Sequence, residues 1–275
     1  MTEFSWSDGA NGFLQIGSSS LEYACYGAHP NEATTIVMLH EGLGCVALWR
    51  DFPKLLAKAT GHGVFVYSRA AYGKSDACDL PRPLDYMTGE AMDVLPVVLN
   101  EIGLQKIILL GHSDGATIAA IYAGMGGDMR VRGVILMAPH FFTEELGLKS
   151  IAEAKVSYET GDLREKLTKY HGDVDCAFKG WNDVWLDPKF KSWDVTDVID
   201  YLRIPVLAIQ GRDDEYGTLA QIEEIENRIY SPVDVEIFDD CGHGPHLDQI
   251  EKTLATIEDF TSRLDHIEKV VVRAA

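Results

Sequence analysis

The stretch ILLGHSDGATIAA, Ile108 to Ala120, sets a polar pair, Ser113–Asp114, between an apolar run and a run of small residues. The run IILL (107–110) enters it with strand character, and the helix-like ATIAAIYAG leaves it. Between them GHSDG fits the pattern G-x-S-x-G. A strand that turns sharply into a helix needs glycine on both flanks, because a Cβ there would collide with neighbouring backbone. Such a turn lifts the serine Oγ out of the sheet at a helix N-terminus, where the dipole favours developing negative charge. Alone, the pentapeptide would equally suit a helix N-cap. The choice depends on what other strand ends supply.

Short apolar runs predict strands at Thr35–Leu39 (TIVML), Val64–Tyr67 (VFVY), Ile107–Leu110, Val134–Met137 (VILM), Val206–Ile209 (VLAI) and Val233–Phe238 (VDVEIF). Most are apolar at nearly every position, as in a parallel sheet buried on both faces. Before them, GFLQIGSSSLEYACYG (12–27) predicts an antiparallel hairpin turning near Gly17–Ser20. Apolar residues three and four apart predict helices at Leu219, Ile222, Ile225 and Ile229, and again from Leu247 through Ile250, Leu254, Ile257 and Phe260 to Leu264. Strand–helix alternation of this kind implies a doubly wound sheet.

The alternation breaks between Phe141 and Arg203. That segment lacks a strand pattern and is rich in aromatics, among them Tyr158, Phe178, Trp181, Trp185 and Trp193. At about 60 residues it is too long for an ordinary connection. It reads as a helical insertion over one edge of the sheet. The tail KVVVRAA (269–275) suits either an edge addition or disorder.

A serine hydroxyl needs a base to take its proton. The best candidate is His243, between glycines in DDCGHGPHLD (239–248), just after a strand, where open α/β sheets place ligand-binding groups. His246 more naturally starts the last helix. The base in turn needs a carboxylate to fix its tautomer. IQGRDDEYG (209–217) offers Asp213, Asp214 and Glu215 after another strand. The order serine, acid, histidine is the one associated with this turn type.

With 24 Lys and Arg against 43 Asp and Glu, the chain carries a formal charge of −19. That opposes binding to nucleic acid or an anionic membrane. MTEFSWSDGANGF lacks the basic start and apolar core of a signal peptide, and no run approaches the roughly 18 apolar residues of a membrane span. Five scattered cysteines without CxxC spacing favour free thiols in a reducing cytoplasm and argue against a zinc site. No metal or cofactor is expected. The partner expected is a small-molecule substrate, and the chain a monomer or homodimer.

The segments LHEGLG (39–44), SRAAYGKSD (68–76), GHSDG (111–115), GRDD (211–214) and CGHGPH (241–246) resemble the α/β-hydrolase superfamily, over essentially the whole chain. The resemblance implies a core domain of residues 1–140 and 204–275, with a helical cap (141–203) inserted after the sixth strand. It selects Asp214 as the acid, three residues after the glycine of G-x-x-D. It also implies an oxyanion hole made by the N–H of Asp114 and a second N–H from HEGLG, Gly42 before Leu43. The Asp114 side chain should then point away, because a carboxylate facing an oxyanion would repel it. Two positions depart from the family pattern. Glu41 stands where many members have glycine, and Ala71 interrupts R-x-G-x-G-x-S. Residues expected at the pocket are His40, Glu41, Arg69, His140, Phe141, Trp181, Trp185 and Tyr216; Arg69 equally suits holding its own loop.

The implied activity is a cofactor-free serine hydrolase cleaving a small carboxylic ester, carboxylesterase-like. Related chemistries on the same triad are C–C bond hydrolysis of a ring-cleavage product, thioester or lactone hydrolysis, and a haloperoxidase-like reaction. A ligand receptor that retains the triad is the non-enzymatic alternative.

Overall fold

The computed structural model describes residues 4–274; the first three residues of the N-terminal stretch and Ala275 of the tail lie outside the described residues. Eight strands form one sheet in the order β1-β2-β4-β3-β5-β6-β7-β8. They are β1 (Asn11–Ile16), β2 (Ser19–Gly27), β3 (Thr35–Leu39), β4 (Gly63–Tyr67), β5 (Ile107–His112), β6 (Val131–Met137), β7 (Val206–Gly211) and β8 (Val233–Phe238). The first two form the antiparallel hairpin, turning at Gly17 with φ 59°. β2 runs antiparallel to β4, and every later pairing is parallel.

The unbroken apolar runs follow from burial on both faces. Ile36, Met38, Val64, Val66, Ile108 and Leu110 pack with Trp49 and with helices α1 (Phe52–Thr60) and α10 (Ile250–Ala274), through Phe52, Leu56, Ile257 and Phe260. Their strand neighbours Val37, Leu39, Phe65 and Leu109 point the other way, toward α3 (Leu95–Glu101), α4 (Asp114–Met125) and α8 (Ala220–Arg228). A four-residue helix, α2 (Tyr86–Gly89), precedes α3.

Between β6 and β7 lie α5 (Glu145–Thr160), α6 (Leu163–Thr168) and α7 (Val174–Trp185), and no strand of the sheet. The two ends of this excursion meet at a narrow neck. Phe142 bridges Asp194, and Val195 N–H donates to the Phe141 carbonyl at 2.7 Å. The expected boundary at residue 203 falls past that neck, because the turn Thr196–Tyr201 packs back on α4: a Cβ on Gly124 would stand 2.6 Å from the Val198 carbonyl oxygen.

The C-terminal apolar series divides into α9 (Pro245–Asp248) and α10. Gln249 breaks it at φ −137°, its side-chain amide donating to the carbonyls of Asp239 and Asp240 at 2.5 and 3.3 Å. The tail departs from expectation: the backbone stays helical to Ala274, so it adds no strand to an edge. Among the described residues no helix is long and apolar enough to cross a membrane.

The turn between β5 and α4 is fixed by contact distances. A Cβ on Gly111 would lie 2.1 Å from the Gly115 carbonyl oxygen, and one on Gly115 would lie 2.0 Å from that of Leu39. Neither atom can retreat, since both are backbone. Gly115→Ala should therefore cost at least the upper end of the roughly 1–3 kcal/mol typical of an overpacked core. Chemical denaturation followed by circular dichroism checks this; an unchanged midpoint would contradict it.

Candidate active site

Ser113 occupies the tip of this turn at φ 54°, ψ −120°, a conformation costly for a residue with a Cβ. Its N–H donates to the Met137 carbonyl at 2.9 Å, and its own carbonyl accepts from Ala116 and Thr117. The turn is thereby tied to β6 on one side and to α4 on the other. Asp114 is the first residue of α4, where helical N–H groups have no intrahelical acceptor. Its side chain is fully buried and accepts a hydrogen bond from the Tyr86 hydroxyl. Burial raises its pKa, with the Arg69 charge and the Tyr86 hydrogen bond pulling the other way.

His243 and Asp214 meet at the ends of β8 and β7. His243 Nδ1 lies 2.9 and 2.8 Å from the two Asp214 carboxylate oxygens. Asp214 also accepts from the backbone N–H of Tyr216 at 2.7 Å and from the Gln210 side-chain amide at 2.7 Å. Burial opposes its charge, but the hydrogen bond and charge of His243 outweigh that and hold its pKa below the usual value. Burial likewise opposes the His243 imidazolium, yet Asp214 wins and its pKa is raised. Neighbouring Asp213 is exposed, so of the acids in this loop only Asp214 reaches the ring. His246 sits within α9, buried against Trp49 and Phe52, and does not contact Asp214 through any hydrogen bond among the described residues.

The loop after β3 is held from beneath by Arg69. Its guanidinium donates to the carbonyls of His40 and Glu41 at 2.5 and 3.1 Å. The Glu41 carbonyl also accepts from His40 Nδ1 at 2.7 Å, while His40 Nε2 accepts the Arg69 backbone N–H at 3.1 Å. These partners fix the neutral Nδ1–H tautomer, and burial together with the Arg69 charge keeps the His40 pKa well below its usual value. The Glu41 carbonyl shares a trans peptide with the Gly42 N–H, so that N–H points away from Arg69. The Leu43 carbonyl is held by His171 Nε2 at 3.0 Å.

The expected pocket residues divide. Tyr216 and His140 stand beside the His243–Asp214 pair, with ring centroids 4.8 and 5.6 Å from that of His243. Trp181 covers Gly42, whose hypothetical Cβ would fall 2.2 Å from the indole Nε1. Trp185 packs edge-on to His140 at 5.4 Å and donates to the Tyr86 hydroxyl at 3.2 Å. The Glu41 side chain turns back over Gly44 toward His112. Arg69 does not offer its charge to a pocket: it is fully buried and spends its donors on loop carbonyls. Phe141 is likewise fully buried in the core, its N–H held by Gln221 at 2.7 Å. Residues that sequence reasoning missed are Gln210, Tyr86 and His112; the available signal was a polar side chain at the end of an apolar strand run for Gln210 and His112.

A profile of the alpha/beta hydrolase fold matches residues 34–196, more than half of the chain. The chain belongs to the alpha/beta hydrolase family. Among its relatives is a proline iminopeptidase of Heyndrickxia coagulans, 22% identical, covering 92% of this chain and 99% of the relative. Two solved structures share the fold. One is a 2-hydroxy-6-oxo-6-phenylhexa-2,4-dienoate hydrolase from Rhodococcus sp. strain RHA1, with TM-score 0.76 and 15% identity, covering 93% of this chain and 99% of that one. The other is an esterase from Exiguobacterium antarcticum, with TM-score 0.74 and 20% identity, covering 92% of this chain and all of that one.

In this alpha/beta hydrolase the site is crowded with buried neutral histidines. Burial, helped by the charge of nearby histidines, lowers both His140 and His246 to about 3. The unfolded chain binds those protons from about pH 6.5 downward, whereas the folded chain does not. Stability should therefore fall as pH drops from 6.5 toward 3, each histidine contributing a slope of up to about 1.4 kcal/mol per pH unit. The raised pKa of His243 acts oppositely: its stabilisation is full below 6.5 and fades as pH rises through the folded value. Two groups outweigh one on the acid side, so melting temperatures at pH 7, 5 and 4 should decline in that order; a flat series would contradict the assignment.

Proposed function

We propose that this protein is a serine hydrolase that cleaves a small carboxylic ester through a covalent acyl-enzyme. The observation that carries the reading is the His243–Asp214 pair, at 2.8–2.9 Å, on the loops beside a glycine-flanked serine turn. Asp214 holds the imidazole with Nδ1 protonated, which leaves Nε2 to accept the Ser113 proton as the hydroxyl attacks the carbonyl carbon. The N–H groups of Asp114 and Gly42 stabilise the oxyanion; a single such donor is worth about 3–4 kcal/mol in the transition state. His243 then gives its proton to the departing alcohol, activates a water, and the acyl-enzyme is hydrolysed. The substrate is a small molecule, and the indole and phenol rings of Trp181, Trp185 and Tyr216 favour an apolar or aromatic acyl group. The second reading is C–C bond cleavage of a dienoate, favoured by the likeness to the Rhodococcus hydrolase; the same three residues would serve it.

Ser113→Ala should lower kcat on the order of a million-fold on whichever substrate of an ester, thioester, lactone, dienoate and aminoacyl-amide panel is turned over. It should also abolish labelling by a fluorophosphonate. A Ser113→Ala protein that keeps most of its activity would end the proposal, and wild-type labelling without turnover would favour a ligand receptor.

The roles of the acids separate by pH. His243 must be neutral to act as base, so kcat/KM should fall as pH drops through its raised pKa. Asp214→Asn removes the main partner that raises it and leaves burial opposed only by the charges of Glu215 and Glu41. The acid limb should then move to lower pH while the plateau falls, on the order of ten-thousandfold. Asp114→Asn should keep most of the activity, since only its backbone N–H faces the oxyanion. The reverse ranking of the two variants would overturn this division of labour.

A further inference from the structure

His112 stands immediately before the nucleophile, at the end of β5, and is buried. Its ring faces the loop after β8 and the loop after β3. Nε2 lies 2.7 Å from the backbone carbonyl of His243. A carbonyl can only accept, so Nε2 carries the hydrogen. On the opposite edge, Nδ1 faces the Glu41 carboxylate at 3.6 Å. The ring is packed by Trp49 and His246, with centroids 6.2 and 4.9 Å away, and by His243 itself at 5.0 Å.

Glu41 lies in the loop after β3, one residue before Gly42. A carboxylate there would face the developing oxyanion if it extended into the site. Instead it folds back over Gly44, where a Cβ would stand 2.2 Å from its Oε2, and is directed at His112. The charged and titratable groups around His112 are thus Glu41 from the loop after β3, His243 from the loop after β8, and His246 from α9.

The catalytic histidine needs such a tie. It lies between Gly242 and Gly244, the two residues least able to restrain a backbone. We infer that His112 is a positioning residue: its Nε2–H fixes the His243 backbone at the level of Ser113. The inference rests on the serine-hydrolase reading above. Through it the strand that carries the nucleophile and the loop that carries the base are joined by one imidazole, and a displacement of about 1 Å at such a site is worth on the order of a hundredfold in rate.

The test is steady-state kinetics on p-nitrophenyl acetate, with folding followed by near-ultraviolet circular dichroism. His112→Phe keeps the ring and loses both nitrogens; kcat should fall about a hundredfold with KM nearly unchanged. His112→Gln places an amide N–H where Nε2 was and should recover kcat to within about tenfold of wild type, whereas the shorter His112→Asn should not. Folded Gln and Asn variants with equal kcat, or a folded Phe variant at wild-type kcat, would overturn the inference, and the Gln–Asn comparison decides should the Phe variant fail to fold. If Ser113→Ala is inactive while the His112 variants match wild type, only this inference fails; if Ser113→Ala stays active, the reading of the reaction fails first.

Discussion

The site depends on one steric constraint: the backbone of Gly115 lies so close to the end of β3 that nothing larger than hydrogen fits. A Cβ there would meet the Leu39 carbonyl at 2.0 Å and that of His40 at 2.7 Å. This contact presses the start of α4 against the strand whose next residues are His40 to Gly44. The helix N-terminus, the serine and the loop that offers Gly42 become neighbours because two backbones meet without side chains between them. The reciprocal contact at Gly111 folds the strand end onto the same helix. Ser113 holds its unfavourable φ because both flanks are locked.

A second layer of order comes from buried charge. Arg69 sits fully buried over the ring of Tyr72, with its guanidinium carbon 5.1 Å from the centroid, and holds two successive carbonyls of the loop after β3. A guanidinium has donors and no acceptor, so it can only collect carbonyl oxygens, and by collecting them it turns the partner N–H groups outward. Ala71 in the same loop stands at φ 78°, a conformation in which glycine is at ease. Here an alanine accepts that strain, buried at 2% exposure.

Much of this was legible in the sequence, and the legible part has a common cause. Strands such as TIVML and VDVEIF announce themselves by composition, since burial on both faces admits only apolar residues. GHSDG, GRDD and CGHGPH follow such runs directly, so each was expected at a strand end; in the sheet β7 and β8 are neighbours, and β6 separates them from β5. What stayed hidden depends on direction rather than type. The sequence cannot say that the Glu41 carboxylate turns back to His112, or that Arg69 points into the protein. Phe141 belongs to the core because its peptide is held by Gln221, 80 residues away. Strand ends were underread wherever a polar residue continued the ladder, as at His112 and Gln210, because hydrogen bonding persists after the apolar pattern stops. The tail KVVVRAA, which in sequence suits an edge addition or disorder, continues α10 as helix to Ala274.

The insertion also sets an order of events during synthesis. β6 pairs with β7 through Val134↔Val206 to Met137↔Ile209, so some seventy residues must emerge before β6 has its second neighbour. Until then the apolar edge Val134–Met137 is open, the kind of surface on which nascent chains aggregate. Ser113 precedes that gap, while Asp214 and His243 follow it. A chain interrupted within α5 to α7 therefore carries the serine turn without the His243–Asp214 pair. That pair forms only with the last two strands, after the sheet that must hold it is complete.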